Sequence, residues 1–162
     1  MKAMSKRNTT LEDDIARQAN QISERTHLRK IKDRFNLRVL VVDDLQTGCD
    51  LAAGMLRLMG CEVETAISGK VALEKIEQEP FDIIFMDIRM PDVDGKEVTA
   101  RIRQLKDNPN RNIPIVALSA DIFWQGDEEK CLKAGMNTCL RKPLRSETLE
   151  AVLEMFFHTR EE

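Results

Sequence analysis

From Leu37 onward the chain alternates short, wholly apolar runs with segments in which apolar residues recur every three or four positions. A strand that is apolar at every position has no face to offer to water, so it must be covered on both sides. A largely parallel sheet with helices on both faces supplies that cover and keeps the connections short and right-handed. This one pattern sets aside bundles, sandwiches and barrels with a solvated sheet face.

Val39-Leu40-Val41-Val42 reads as the first buried strand. Cys49, Ala52, Ala53, Leu56 and Met59 follow at helical spacing, and Gly60 is placed to end that helix. Residues Glu62 to Ala66 alternate as a strand does, and Ser68 is suited to cap a helix built on Ala72, Leu73 and Ile76. Phe81 to Met86 is the third strand, and Val98, Ile102 and Leu105 mark the third helix. A polar loop, Lys106 to Asn112, leads to a fourth strand at Ile115 to Leu118. A fourth helix is expected from about Gly126 to Ala134, with Gly135 as its C-cap. A short fifth strand falls near Thr138 to Arg141, and Ser146 is expected to cap a last helix with Leu149, Val152, Leu153 and Phe156 on one face. Five such units predict an α/β fold with a doubly wound, five-stranded parallel sheet in the order 2-1-3-4-5.

The domain is assigned to residues 37–158, followed by a tail at 159–162 and preceded by a helical or partly disordered N-terminal extension, 1–36. In the extension Leu11, Ile15 and Ile22 begin a heptad that fails at Arg25, Arg29 and Lys32, which favours a solvated leader over a coiled coil. His27 is expected to be an ordinary exposed histidine.

The 162 residues suffice for one well-buried domain. The net charge of −3 is uneven: residues 1–36 hold nine Lys/Arg against five Asp/Glu, and the remainder holds 16 against 23. An acidic domain with a slightly basic arm argues against nucleic-acid binding. No apolar run approaches the roughly 20 residues of a membrane helix, and no secretory leader opens the chain, so a cytoplasmic protein without membrane insertion is expected. Cys49, Cys61, Cys131 and Cys139 have neither zinc-type nor CxxC spacing and read as small buried hydrophobes.

The chemistry lies at the strand ends. In an open α/β sheet ligands bind beyond the carboxyl ends of the strands, where the strand order reverses. Asp43 and Asp44 follow strand one and Asp87 follows strand three, so three carboxylates converge in that crevice. Like charges so close repel unless a cation lies between them. Hard oxygen donors without His or Cys favour Mg²⁺ (or Mn²⁺) over zinc. Ser119 after strand four adds a hydroxyl, and Lys142 after strand five adds a positive charge. Acidic ligands, a hydroxyl and a lysine around one carboxylate suit a phosphoryl group, with Asp87 as the nucleophile.

These residues carry a resemblance. Val41-Val42-Asp43-Asp44, the run from Met86-Asp87 through Met90-Pro91 to Asp94-Gly95, Pro114 to Ala120, and Arg141-Lys142-Pro143-Leu144 are similar to the receiver domain of bacterial response regulators and hybrid sensor kinases. The resemblance covers Leu37 to about His158. It implies that Asp87 is the phosphoacceptor, and that Asp44, Asp87 and the backbone carbonyl of Arg89 bind Mg²⁺, with Asp43 acting largely through water. It implies that Ser119 and Lys142 bind phosphoryl oxygens, that the Lys142–Pro143 bond is cis, and that Arg89 and Asp121 tune the phosphoryl lifetime. The implied partner is a histidine kinase or histidine phosphotransfer protein, and the implied output is a phosphorylation-dependent protein contact, not turnover of a substrate.

A freestanding receiver is favoured, because about four residues follow the last helix; the C-terminal receiver of a hybrid sensor histidine kinase and a degenerate, phosphorylation-independent receiver are the alternatives. Cys139 stands where such domains usually carry a switching aromatic, so at most weak homodimerisation is expected. Phe123 and Trp124 are expected to be packed. A phosphatase of the haloacid-dehalogenase type would need a DxDxT pattern after strand one, and Asp43-Asp44-Leu45-Gln46-Thr47 lacks it.

Overall fold

Strand β3, Ile83–Asp87, is buried along its whole length at the centre of the sheet, with the nearly fully buried β1, Arg38–Val42, on one side of it. The computed structural model describes residues 11–22, 34–120 and 127–157. An N-terminal helix, α1, occupies residues 11–22. Then follow α2 (Gln46–Leu58), β2 (Glu62–Ala66), α3 (Gly69–Gln78), α4 (Gly95–Arg103), β4 (Ile115–Ser119), α5 (Asp127–Ala134), β5 (Thr138–Arg141) and α6 (Ser146–Phe156) around those strands. The sheet is parallel throughout, in the order β2-β1-β3-β4-β5, as the continuously apolar strands predict.

Successive side chains of a strand point to opposite faces, and the core divides accordingly. Val39, Val41, Ile83, Phe85, Val116 and Leu118 pack with Ala52, Ala53 and Leu56 of α2 and Leu149 and Leu153 of α6. Leu40, Val42, Ile84, Met86, Ile115 and Ala117 pack with Ala72 and Ile76 of α3, Val98 and Ile102 of α4, and Cys131 of α5. Each fully buried Leu, Ile or Phe contributes about 1.5–3 kcal/mol relative to an exposed one, so these two layers dominate the stability that holds the strand ends in place.

Several helix ends follow local rules, while α2, which starts after Leu45, has no side-chain cap. Ser68 accepts the Val71 N–H and caps α3, and the left-handed backbone at Gly60 (φ 94°) and Gly135 (φ 105°) ends α2 and α5. Ser146, in contrast, does not cap α6. The extended residue is Arg145, Ser146 is already helical, and no side chain caps this end, because the capping hydroxyl must stand on the last non-helical residue.

The third strand begins at Ile83 and not at Phe81. The Phe81 N–H instead donates to the side chain of Asn110 (2.7 Å), whose amide also donates to the Ile76 and Glu79 carbonyls (both 2.7 Å). Asn110 sits in a 3₁₀ turn, Pro109–Asn112, inside the loop expected to be only polar. On α1, Leu11, Ile15 and Ile22 are all more than half exposed. His27 and the rest of the failed heptad lie outside the described residues, as do residue 158 and the tail at 159–162.

Candidate functional site

A parallel sheet delivers all its strand ends to one edge, so the position of a residue just past a strand is set by the fold. Asp43 and Asp44 follow β1, Asp87 closes β3, Ser119 closes β4 and Lys142 follows β5. Because β1 lies between β2 and β3, the order reverses there and a crevice opens above the strand tips. Within it Asp43, Asp44 and Asp87 each present an oxygen within 4.8 Å of the others. Asp43 and Asp87 are buried, at 3% and 6% exposure, and Asp44 is the more open of the three.

The Lys142 ammonium donates to Asp43 Oδ2 (2.8 Å) and Asp87 Oδ2 (3.1 Å). The remaining oxygens accept backbone donors: Leu45 N–H to Asp43 Oδ1 (3.0 Å) and Arg89 N–H to Asp87 Oδ1 (3.2 Å). Burial pushes the Asp87 carboxyl above the ordinary carboxylate range; Lys142 opposes that shift and Asp43 adds to it. For Lys142, burial alone would lower the ammonium pKa, but its bonds to Asp43 and Asp87 outweigh burial and raise it. With all three carboxylates ionised and Lys142 charged, the cluster carries a formal −2, the charge a divalent cation balances. The three carboxylates offer hard oxygen donors, and this donor set fits Mg²⁺.

The backbone around these groups is tightly built. The Asp43 N–H donates to Ala66 O (3.1 Å), the Ile88 N–H to Leu118 O (3.1 Å), and the Lys142 N–H to Ser119 O (2.8 Å). The Lys142–Pro143 peptide is cis. Ser119 is buried beside this network. Arg89 lies in the loop after Asp87, with its side chain exposed. Asp121, Phe123 and Trp124 fall outside the described residues.

Two site-shaping residues escaped the sequence reading. A Cβ on Gly48 would come within 2.4 Å of Asp43 Oδ2, so the first turn of α2 can approach the carboxylate only as glycine. Glycine so near the start of a helix, where it costs stability, was the legible signal. Cys49 sits beneath, its thiol donating to the carbonyls of Asp43 (3.4 Å) and Ala66 (3.7 Å).

Cys139 is half-buried opposite Ala117 of β4, against the same core layer as Cys131, so a small thiol fills the place expected of an aromatic. Cys49, Cys61 and Cys131 are buried. Burial pushes the Cys61 thiol up to about 11, with Asp82 adding to the shift, and burial with Asp43 raises Cys49 as well. Since the thiolate is the reactive form, a disulfide reagent at pH 7.5 is expected to modify Cys139 alone among the four in the folded protein. Mass mapping checks this; Cys61 reacting in the native state as fast as in denaturant would contradict it.

A five-stranded sheet of this order with an acidic cluster at its reversal point agrees with the sequence comparison: the response regulator receiver domain model matches residues 39–154. The chain belongs to the receiver domain family. It is 36% identical over 123 residues to hybrid signal transduction histidine kinase L of Dictyostelium discoideum, covering 74% of this chain and 7% of that protein. Sensor histidine kinase RcsC of Escherichia coli K12 is 30% identical over 128 residues, covering 79% of this chain and 13% of that one. The receiver therefore corresponds to a small fraction of these relatives' length.

Among solved structures, the receiver domain of sensor histidine kinase PA1611 from Pseudomonas aeruginosa PAO1 superposes with a TM-score of 0.67 at 36% identity, covering 75% of this chain and 98% of that one. That receiver holds a magnesium ion in its active-site cleft. Chemotaxis protein CheY4 of Vibrio cholerae superposes with a TM-score of 0.70 at 29% identity, covering 76% of this chain and all of the other. The receiver is a signalling module of two-component systems. No helix among the described residues is long and apolar enough to cross a membrane.

Proposed function

We propose that this receiver accepts a phosphoryl group on Asp87 from a phosphohistidine of a histidine kinase or phosphotransfer protein. The observation that carries the reading is the single ammonium of Lys142 bonded to both Asp43 and Asp87 while Asp44 stands within reach of both. A carboxylate oxygen of Asp87 forms the new P–O bond as the P–N bond breaks, and the imidazole nitrogen leaves with the electron pair. Asp44, Asp87 and the Arg89 carbonyl would hold Mg²⁺, and Asp43 would act on it largely through water. When bound there, the ion supplies charge neutralisation for the phosphoryl oxygens.

Lys142, freed from one carboxylate as Asp87 becomes an acyl phosphate, pairs with a phosphoryl oxygen, and the Ser119 hydroxyl donates to another. Arg89 and Asp121, two residues after the phosphoacceptor and two after Ser119 in the sequence, tune the lifetime of the phosphoryl group. The magnesium ion in the active-site cleft of the PA1611 receiver supports a magnesium-dependent reading of this site.

Drawing Ser119 inward biases the surface beyond β4 toward a second conformation. Couplings between distant sites are typically about 1–3 kcal/mol, and a full reversal of a 1:99 population needs about 5.5 kcal/mol, so the output is a graded change in partner affinity. With Cys139 in place of an aromatic, homodimerisation driven by this shift is weak. Residues 37–158 constitute the switch and 1–36 an extension, whose Phe35 packs into the domain core. The relatives at 30–36% identity are sensor histidine kinases, which favours a phosphorelay receiver of the hybrid-kinase type over the freestanding form. Four cysteines without a zinc or CxxC pattern suit the reducing cytoplasm.

Incubation with Mg²⁺ and acetyl phosphate is expected to add one phosphoryl group that maps to Asp87, and Asp87→Asn is expected to show none. An unmodified wild-type protein, or a modified Asp87→Asn, would overturn the reading.

A further inference from the structure

The loop after Asp87 is fixed at both ends. At its start the Ile88 N–H donates to Leu118 O (3.1 Å); at its end the Gly95 N–H returns to Ile88 O (2.8 Å), and Asp94 caps α4 through the Lys96 N–H (2.7 Å). Its middle carries a long-range polar tie made by an exposed carboxylate the phosphoryl chemistry does not use. Asp92 Oδ1 accepts the Gly69 N–H (3.4 Å) and Asp92 Oδ2 the Lys70 N–H (3.3 Å), the first two donors of α3. Ser68 satisfies the third, Val71 N–H (3.1 Å).

The contact is close beyond the hydrogen bonds, because a Cβ on Gly69 would lie 2.8 Å from Val98 Cγ2 and 3.2 Å from Val93 Cβ. The segment entering α3 is in turn fastened to the acidic crevice, since Ala66 O accepts the Asp43 N–H (3.1 Å). Burial would raise the Asp92 carboxyl, but its backbone donors outweigh burial and hold it below the ordinary range.

We infer that Asp92 is a positioning residue for the divalent ion: by tying the loop that bears the Arg89 carbonyl to the start of α3, it sets that carbonyl against Asp43 and Asp44. The inference rests on the metal-dependent reading of the site and adds to it a residue that touches neither the ion nor the phosphoryl group. Groups that orient metal ligands typically cost about 10–100-fold in affinity when removed. Acting through the backbone, Asp92 belongs at the lower end.

Mg²⁺ titration by calorimetry of the wild type, Asp92→Ala, Asp92→Asn and Ser68→Ala tests it, with thermal unfolding confirming that each variant is folded. Asp92→Ala is expected to bind Mg²⁺ about tenfold more weakly. Asp92→Asn, which keeps an acceptor oxygen, is expected to fall between. Ser68→Ala loses a cap on the same helix turn without touching the loop and is expected to bind as the wild type does. By linkage, saturating Mg²⁺ is expected to slow amide exchange at Gly69 and Lys70 in the wild type and not in Asp92→Ala.

Wild-type affinity in Asp92→Ala would overturn the inference. So would equal losses in Asp92→Ala and Asp92→Asn, which would assign the effect to charge alone, or an equal loss in Ser68→Ala, which would assign it to fraying of α3. A wild-type protein that binds no Mg²⁺ would instead overturn the metal reading itself.

Discussion

Gly95→Ala is expected to cripple both stability and phosphoryl uptake, although it adds one methyl group. The added Cβ would lie 2.1 Å from the Asp87 carbonyl oxygen and 3.0 Å from both its carbonyl carbon and Met86 Cγ. The nearest obstacle is backbone, in the central strand that carries the phosphoacceptor, so no rotamer change relieves it. Overpacking typically costs about 1–3 kcal/mol, and an immovable partner puts this site at the top of that range. For a domain of this size that lowers Tm by about 10 °C. Relief requires moving Asp87 or the start of α4, so Mg²⁺ affinity and phosphoryl uptake should fall together by at least tenfold. Gly54→Ala is the internal control: nothing lies within 4 Å of its Cβ, and an exposed helical Gly→Ala change stabilises by roughly 0.4–1 kcal/mol. Thermal melts and phosphoryl uptake read both variants; a Gly95→Ala protein that melts and labels like the wild type would show that the close approach is not a constraint.

Lys142→Ala is expected to lower metal-free stability at pH 7 by about 2–3 kcal/mol, and Mg²⁺ is expected to restore most of the loss. Breaking a buried pair costs about 3–5 kcal/mol because the partner charge is stranded; Lys142 is 27% exposed at its side chain, which reduces the figure. The stranded groups are Asp43 and Asp87. The pH dependence identifies the cause. Asp87 titrates above its unfolded value through burial, so the folded state holds the proton more tightly. Stability therefore falls as pH rises from the ordinary carboxylate range through the folded pKa of Asp87. Without Lys142 that pKa rises further and the fall widens. The Lys142 contribution has the other sign: its raised pKa keeps its stabilisation complete below the ordinary lysine value and removes it only at higher pH. Asp87→Asn, which deletes the buried charge, is expected to raise metal-free stability at pH 7. Denaturant melts from pH 4 to 8 with and without Mg²⁺ check these outcomes; a Lys142→Ala protein as stable as the wild type without metal would refute them.

The sheet order was legible because the three inner strands are apolar enough to require cover on both faces, and helices of the right period separate the strands. The site residues were legible because the strand-end rule converts position along the chain into position in space: Asp43, Asp44, Asp87, Ser119 and Lys142 needed only to follow their strands. Boundaries were less legible. Phe81 read as strand on apolarity, yet its N–H is taken by Asn110, a side chain 29 residues away. Ser146 read as a cap on residue type, yet capping depends on which residue is the last to be non-helical.

Sequence by itself determined the layers, the topology and which strand tips would carry acid, hydroxyl and amine, because period and order are local properties. Only the tertiary structure decided that one ammonium would be shared between Asp43 and Asp87, that Gly48 and Gly95 would lie against the two carboxylate-bearing segments, and that Asp92 would reach back to α3. Those contacts join residues brought close solely by the crossing of helices over the sheet, and their ångström-scale distances are set by the packing of the whole core.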